Sequence, residues 1–192
     1  MKDQSKTPLL QRIAELEVEN SALIARIDVL EGIPSLRSGI RGESLVATLV
    51  HGRMTIHTAP HDVVVANGIK LEVKFSRLNT PNQISKSQRW SWNHPMGQKL
   101  GKDFDRLLLI GEADPRYKLS YKDPDSPYVI FDVPRDRVAA MNQNDNHISI
   151  TTNPNRSGRG TSRILLFRHF QTTLKELEQR YGITRKSKDH EY

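Results

Sequence analysis

Apolar side chains recur along the first thirty residues at alternating steps of four and three, which is the spacing of a coiled-coil seam. Leucine occupies every d position, isoleucine two of the a positions and asparagine the third, a combination that favours two parallel helices in one register. The pattern therefore predicts a homodimer formed through an N-terminal helix, although a helix packed on its own domain would show similar spacing. The seam consists of Leu9, Ile13, Leu16, Asn20, Leu23, Ile27 and Leu30.

Charged residues beside the seam agree with a parallel pair of helices. Arg12 and Arg26 fall at g positions, and the e positions five residues later hold Glu17 and Glu31. In a parallel homodimer each arginine would face the partner's glutamate, so the charges support the same pairing as the seam.

The ends of this helix are predicted from capping residues. Thr7 with Pro8 starts the helix, and Gly32 with Pro34 ends it, which gives a length of about 36 Å. The predicted division of the chain is a dimerising helix at 1–32, a globular domain at 33–183 and a polar tail at 184–192.

Beyond residue 34 the pattern changes to short apolar runs separated by turn residues. These runs predict strands at 54–58, 105–111, 128–133 and 147–151, and two more within 61–75 on either side of Asn67–Gly68. Helical spacing predicts helices at 35–50, 134–141 and 165–181, and the segments 76–104 and 153–163 are predicted to be polar and irregular. This order indicates an α/β or α+β domain in which helices flank a mixed central sheet.

Charge is distributed unevenly along the 192 residues, whose formal net charge is +7. Residues 1–31 have a balance of −2, so the globular part has a balance of +9, which favours a polyanionic partner such as nucleic acid. The chain has no cysteine, which excludes a disulfide scaffold and a thiolate zinc site and fits a cytoplasmic setting. It has no apolar run that could cross a bilayer and no signal peptide, so we expect no membrane association.

Acidic and basic residues with a chemical role are predicted on the hairpin around Asn67–Gly68. Glu72 and Lys74 are two residues apart on one strand, so their side chains share a face, and Asp62 lies on the preceding strand. Two carboxylates at such a point can hold Mg²⁺ through oxygen ligands, and a lysine beside them can stabilise charge or position a nucleophile. The other interpretation is a solvated polar face with a Glu–Lys pair.

The register of this hairpin decides whether the two acids face each other. With a two-residue turn Asp62 would point away from Glu72, whereas with a three-residue turn, Ala66 to Gly68, the two residues lie opposite. The three-residue turn alone puts the apolar residues on one face of the hairpin and the polar residues on the other. In that register Asp62 shares a face with Lys70, Glu72 and Lys74. We therefore predict the three-residue turn.

The order Glu43, Asp62, Glu72-x-Lys74 resembles the PD-(D/E)xK nuclease superfamily, the restriction-endonuclease-like fold, over residues 40–112. That family has a helix with a glutamate, a strand, a strand beginning with aspartate, a strand with (D/E)-x-K, then a helix and a further strand. The resemblance implies metal binding by Asp62 and Glu72, catalytic support by Lys74 and a metal-orienting role for Glu43. The chain departs from the family pattern at His61, which separates Pro60 from Asp62.

Further candidate residues could contact DNA. Polar and basic side chains follow the E-x-K strand, and three arginines lie in a Gly/Ser-rich segment near residue 160, a setting that suits phosphate contacts. Trp90 and Trp92 could stack on bases, although core packing is the other interpretation. The candidate DNA-binding residues are Arg77, Asn79, Lys86, Arg89, Arg156, Arg159 and Arg163.

These observations predict a Mg²⁺-dependent endonuclease that cleaves duplex DNA as a homodimer, of the type II restriction kind. The alternatives are a zipper-dimerised DNA-binding protein without catalysis and an interaction or scaffold protein. Sequence motifs of nucleotide-hydrolysing P-loops, dinucleotide-binding folds and serine hydrolases are absent, so those classes have no support.

Overall fold

The computed structural model describes residues 11–21, 34–56, 58–79, 88–97, 101–141, 147–155 and 167–182. The chain divides into two compact units, 1–37 and 38–192, whereas the sequence places the division after residue 32. The predicted tail at 184–192 lies outside the described residues. None of the described helices is long and apolar enough to cross a membrane.

The described part of the N-terminal region is helical. Residues 11–21 form helix α1, all of whose side chains are exposed. Ile13 and Leu16, two seam residues, remain 51% and 44% exposed. Arg12 forms an ion pair of 3.0 Å with Glu15 of its own helix. A third seam residue, Asn20, is also described and is exposed. The other four lie outside the described residues: Leu9, Leu23, Ile27 and Leu30.

The second unit is a mixed α+β domain, as predicted. Its helices are α2 (Pro34–Leu49, which begins in the first unit), a 3₁₀ helix (Pro115–Ser120), α3 (Arg135–Met141), a short helical segment at 167–169 (α4) and α5 (Leu174–Tyr181). Its strands are β1 (Arg53–Met54), β2 (Val63–Val64), β3 (Lys70–Ser76), β4 (Arg89–Asn93), β5 (Arg106–Glu112), β6 (Tyr128–Pro134), β7 (His147–Thr151) and β8 (Gln171–Thr172).

The central sheet is mixed and has six strands in the order β1-β2-β3-β5-β6-β8. Strands β3 and β5 are parallel, and the other neighbouring pairs are antiparallel. Strands β4 and β7 pair in a separate antiparallel sheet. The predicted mixed sheet is therefore confirmed.

Apolar clusters cover both faces of the central sheet. Leu108 and Ile110 of β5 belong to a cluster with residues of α2 and α5, such as Val46 and Leu177. Leu107, on the opposite face of β5, belongs to a cluster that includes both tryptophans of β4. Because β5 is buried on both faces, its sequence is a continuous apolar run rather than an alternating one.

The prediction that residues 76–104 are irregular is wrong at β4. The segment Arg89–Asn93 alternates exposed and buried positions, and its buried positions are Trp90 and Trp92, which are 2% and 1% exposed. Tryptophan favours β-strands, and the pairing of β4 with β7 stabilises the strand although the residues on either side of it are polar. Core packing is the role that the structure assigns to both tryptophans.

The predicted helix at 165–181 is also wrong, because β8 interrupts it. Thr173 begins α5 as its N-cap: its side chain accepts a hydrogen bond from the backbone N–H of Glu176, whose carboxylate accepts the N–H of Thr173. This capping box starts a new helix after the strand, and Gly182 is the C-cap residue at its end.

The predicted strand at 54–58 is shorter than expected, since β1 ends at Met54. The next residue, Thr55, donates its backbone N–H to the carbonyl of Asp62 and its hydroxyl to the carbonyl of His61. Both bonds attach Thr55 to the residues just before β2, so the contact between the two segments continues for one residue beyond the end of β1.

Candidate active site

The hairpin has the predicted three-residue turn. Val63 pairs with Leu71 and Val64 with Lys70, which places Asp62 opposite Glu72. The turn is closed by a bond of 2.8 Å from the Gly68 N–H to the Val65 carbonyl, and Gly68 has a φ of 88°, a conformation that glycine adopts most readily. The register prediction is therefore confirmed.

Asp62 is held against the E-x-K strand by a main-chain bond. Its Oδ2 accepts a hydrogen bond of 2.8 Å from the backbone N–H of Val73, the residue between Glu72 and Lys74. The side chain of Asp62 is 14% exposed. The bond fixes one carboxylate oxygen, and the other lies 3.5 Å from the Nζ of Lys102.

Glu72 is the most deeply buried charged residue of this group. Its side chain is fully buried, because it lies beside Leu107 on the face of the central sheet that the tryptophan cluster covers. Its Oε1 lies 2.7 Å from the Nζ of Lys74, and its Oε2 lies 3.0 Å from the Nζ of Lys102. Among the described residues, neither oxygen has a partner with hydrogen-bond geometry, so the carboxylate depends on these two ion pairs.

Lys102 is a member of the site that the sequence does not predict. Its ammonium lies between Asp62 and Glu72, and its side chain is 21% exposed. It follows Glu72 by thirty residues and lies in a polar segment that shows no motif, so no sequence pattern identifies it.

The chain around Lys102 is fixed by several bonds and one close contact. Gly97, with a φ of 80°, lies so near the Lys102 stem that an added Cβ would come within 2.7 Å of its Cγ. The Lys102 N–H donates to the carbonyl of Met96, and the Lys102 carbonyl accepts a bond of 3.0 Å from Arg135. The backbone is therefore anchored, and the lysine stem is directed toward the two acids.

Burial and charge alter proton binding in this group. Burial, together with the nearby charge of Asp62, raises the pKa of Glu72 above its ordinary value, although Lys74 and Lys102 act against this shift. Burial alone would lower the pKa of Lys102, but the charges of Asp62 and Glu72 outweigh it and raise that pKa. Each carboxylate thus stabilises the ammonium, and the ammonium limits the rise in the pKa of Glu72 without cancelling it.

The site opens into a groove of about 780 Å³. Asp62, Lys74 and Lys102 line it, and Glu43 of α2 lines the same groove. Helix α2 lies close on β3: a Cβ added to Gly42 would be 3.0 Å from the Cβ of Phe75. The structure therefore brings Glu43, Asp62 and Lys74 to one groove, and Glu72 lies buried beneath it, paired with Lys74 and Lys102.

Two carboxylate oxygens from neighbouring strands converge on a single point, at present the position of the Lys102 ammonium. Such a point suits a hard cation, and Glu72 has buried oxygens without hydrogen bonds, so the residues fit Mg²⁺. In the part of the chain that the structure describes, no group of three or more carboxylate or imidazole side chains could hold a metal. Mg²⁺ usually keeps several waters and takes one or two protein carboxylates, so two ligands satisfy its protein requirement.

Three of the predicted DNA-binding residues are exposed near one another. Arg77 and Asn79 follow β3, and Asn79 donates its N–H to the carbonyl of Arg89 at the start of β4. The remaining four lie outside the described residues: Lys86, Arg156, Arg159 and Arg163.

His61 takes a different position from Asp62. Its Nδ1 lies 3.2 Å from the carbonyl oxygen of Asp103, and the described lining of the groove does not include it. The residue that interrupts the family pattern therefore contacts the main chain next to Lys102.

No protein-family model matches the sequence, and no curated protein matches it significantly.

Proposed function

We propose that the protein is a Mg²⁺-dependent endonuclease of the type II restriction kind, which cleaves duplex DNA as a homodimer. The observation that carries this proposal is that Asp62, Lys74 and Lys102 line an open groove and that both lysines are paired with the buried carboxylate of Glu72. The basic balance of the globular part favours a polyanionic substrate for such a groove.

The order of the strands supports a restriction-endonuclease-like core. A helix with Glu43, the antiparallel strands β1, β2 and β3, and then the parallel strand β5 follow the order that the resemblance implies. One difference is that the described part of the connection from β3 to β5 contains β4, where the family has a helix.

Each acidic and basic residue has a role in the proposed reaction. Asp62 and Glu72 hold the cation, which when bound polarises the scissile phosphate and lowers the pKa of a water molecule. Lys74, 25% exposed and paired with Glu72, faces the groove and stabilises the negative charge that develops on the phosphate. Glu43 lines the groove from α2, where its carboxylate would help to orient a bound cation.

Dimerisation has a mechanical purpose in this proposal. One such site cuts one strand, so a two-fold dimer presents two sites to the two antiparallel strands of a duplex. Ile13 and Leu16 are exposed on α1, as residues of an unpaired coiled-coil seam would be.

The test is incubation of the purified protein with supercoiled plasmid and phage DNA, in Mg²⁺ and in EDTA. We expect discrete fragments in Mg²⁺ only, and Asp62→Asn to reduce the rate at least about 100-fold, since even residues that orient metal ligands change activity by 10- to 100-fold. Asp136→Asn, which changes an exposed carboxylate of α3, is the matched control and should cleave like the wild type. Intact DNA in every condition would contradict the proposal.

A non-catalytic, zipper-dimerised DNA-binding protein is the second candidate. The observation that favours it is that the negative charges of Asp62 and Glu72 are already balanced by ion pairs with Lys74 and Lys102, so the group needs no metal to be stable. A structural ion-pair cluster would have the same geometry. A gel shift without cleavage, unchanged by EDTA and by Asp62→Asn, would support this candidate.

A further inference from the structure

The Lys102 ammonium occupies the point at which both carboxylates of the candidate site converge. Its Nζ lies 3.5 Å from the Oδ1 of Asp62 and 3.0 Å from the Oε2 of Glu72. Lys74, by contrast, has its ion pair with Glu72 through the other carboxylate oxygen, and no described ion pair joins it to Asp62. Lys102 therefore bridges the two acids in the way that a divalent cation would bridge them.

The charge of the group is balanced without any metal. Asp62 and Glu72 contribute two negative charges, and Lys74 and Lys102 contribute two positive charges. A buried carboxylate such as Glu72 needs this compensation, because an unpaired charge in the interior is strongly destabilising. A divalent cation added to the same group would lie beside two ammonium groups, and the repulsion would favour the departure of one of them.

We infer that the Lys102 ammonium is an internal counter-cation that competes with the divalent metal for Asp62 and Glu72 and is displaced when the metal binds. This inference rests on the proposed function, since it requires a metal at these two residues. Lys102 rather than Lys74 is displaced, because only Lys102 contacts both carboxylates.

The lysine has a path for this movement. Its side chain is partly exposed and lines the groove, while its backbone is held by Met96 and Arg135. The long stem can therefore swing into the groove without rearrangement of the chain. The displaced ammonium then lies where phosphate groups of the substrate would enter, so metal binding converts an internal ion pair into a phosphate contact.

The competition predicts that removal of the lysine charge tightens metal binding. Mn²⁺ is the probe, and its affinity for the full chain is measured by titration calorimetry and by the electron spin resonance of free Mn²⁺. We expect Lys102→Met to bind Mn²⁺ at least about fivefold more tightly than the wild type, the lower end of ordinary coupling between two sites. Lys118→Met, which removes an exposed lysine of the 3₁₀ helix, should bind like the wild type.

Thermal unfolding gives a second readout that does not depend on cleavage. In EDTA, Lys102→Met should melt at a lower temperature than the wild type, because Asp62 and Glu72 lose their shared counter-charge. Saturating Mn²⁺ should raise its melting temperature by more than it raises that of the wild type. Lys102→Gln, which keeps a polar side chain of similar reach, takes the same measurements if Lys102→Met does not fold.

Asp62→Asn separates failure of this inference from failure of the proposed function. If Asp62→Asn loses Mn²⁺ binding but Lys102→Met and Lys102→Gln bind no more tightly than the wild type, the metal site stands and the competition is refuted. If Mn²⁺ binds neither to the wild type nor to any variant, the metal site itself is refuted and the proposed function fails with it. The same conclusion follows if the wild type, Asp62→Asn and the Lys102 variants all bind Mn²⁺ equally.

Discussion

The Asp62 carboxylate accepts a hydrogen bond of 2.8 Å from the backbone N–H of Val73. This bond gives the two oxygens of Asp62 different surroundings: Oδ2 is attached to the strand that contains Glu72 and Lys74, and Oδ1 faces Lys102. An asparagine in this position can still accept the main-chain bond, so Asp62→Asn removes a charge while it preserves a contact. That property makes it a better probe of the site than alanine.

Lys74→Met should reduce Mg²⁺-dependent cleavage about 100-fold or more, the usual effect of losing one group that stabilises transition-state charge. The methionine has a stem of similar length but no charge, so packing on β3 is preserved. The measurement is the single-turnover rate on plasmid DNA at saturating protein. Lys118→Met is the control, and equal rates for the two variants would show that Lys74 has no catalytic role.

Gly68→Ala should lower the free energy of unfolding by about 1 kcal/mol, because alanine is strained at the φ of 88° that the hairpin turn requires. Space is not the reason, since no atom lies within 4 Å of an added Cβ. Gly101→Ala is the matched control: its added Cβ also meets no atom within 4 Å, and its φ is not in the left-handed region. Urea titration of both variants measures the difference, and equal stabilities would contradict the strain argument.

Gly111→Ala should destabilise the fold by about 1–3 kcal/mol through overpacking. An added Cβ would lie 2.4 Å from the Nε1 of Trp90, which donates a hydrogen bond of 2.8 Å to the carbonyl of Glu112. The indole must move, and its bond to the main chain is lost with it. Urea titration with tryptophan fluorescence measures both effects, and an unchanged spectrum with unchanged stability would refute this close contact.

Asp114 should make the protein sensitive to acid. Burial alone would raise its pKa, but hydrogen bonds from Arg116 and Thr152 outweigh burial and lower the pKa below its ordinary value of 3.8. Since the unfolded state then binds the proton more readily, Asp114 contributes stability above pH 3.8 that is lost as the pH falls through its folded pKa.

Asp114→Asn tests this dependence. We expect the variant to be less stable than the wild type at pH 7, because the charged bonds to Arg116 are lost. The stability difference should shrink as the pH falls below 4. Urea titrations of both proteins between pH 3 and pH 7 measure this difference. A difference that is constant over this range would contradict the lowered pKa of Asp114.

Leu16→Lys should convert the proposed dimer into a monomer, because the charged side chain would lie in the apolar seam. Val18 is also an exposed apolar residue of α1, at 70%, but it lies outside the seam. Val18→Lys is therefore the matched control and should leave the dimer intact. Sedimentation velocity at several concentrations measures the oligomeric state of each variant. If both variants are monomers, or both are dimers, the predicted seam is refuted.

The hairpin and its acids could be predicted because one residue of slippage exchanges the two faces of a strand. Only one register gives a consistent apolar face, and the pairing of Val63 with Leu71 follows that register. Strand β5 was predictable because it contains a continuous apolar run buried on both faces, and β6 has the same burial with Asp132 as its one buried charged residue.

Other parts depend on contacts between distant segments. Lys102 reaches the site through a loop supported by Pro60 and Arg135, and no local spacing encodes such a contact. Strand β4 is stabilised by pairing with β7, which lies almost sixty residues further along the chain. The capping box at Thr173 was present in the sequence, but the apolar spacing on either side of β8 obscured it.

The position of β4 has a consequence for the order in which the protein folds. Lys102 follows β4 along the chain, and among the described strands β4 pairs with β7. During synthesis, the hairpin with Asp62 and Glu72 can form from neighbouring residues, whereas the Lys102 carbonyl can accept its bond only after Arg135 has been made, and β4 can pair only after β7 has been made. The side of the site that contains Lys102 therefore depends on residues made well after the two acids that it faces.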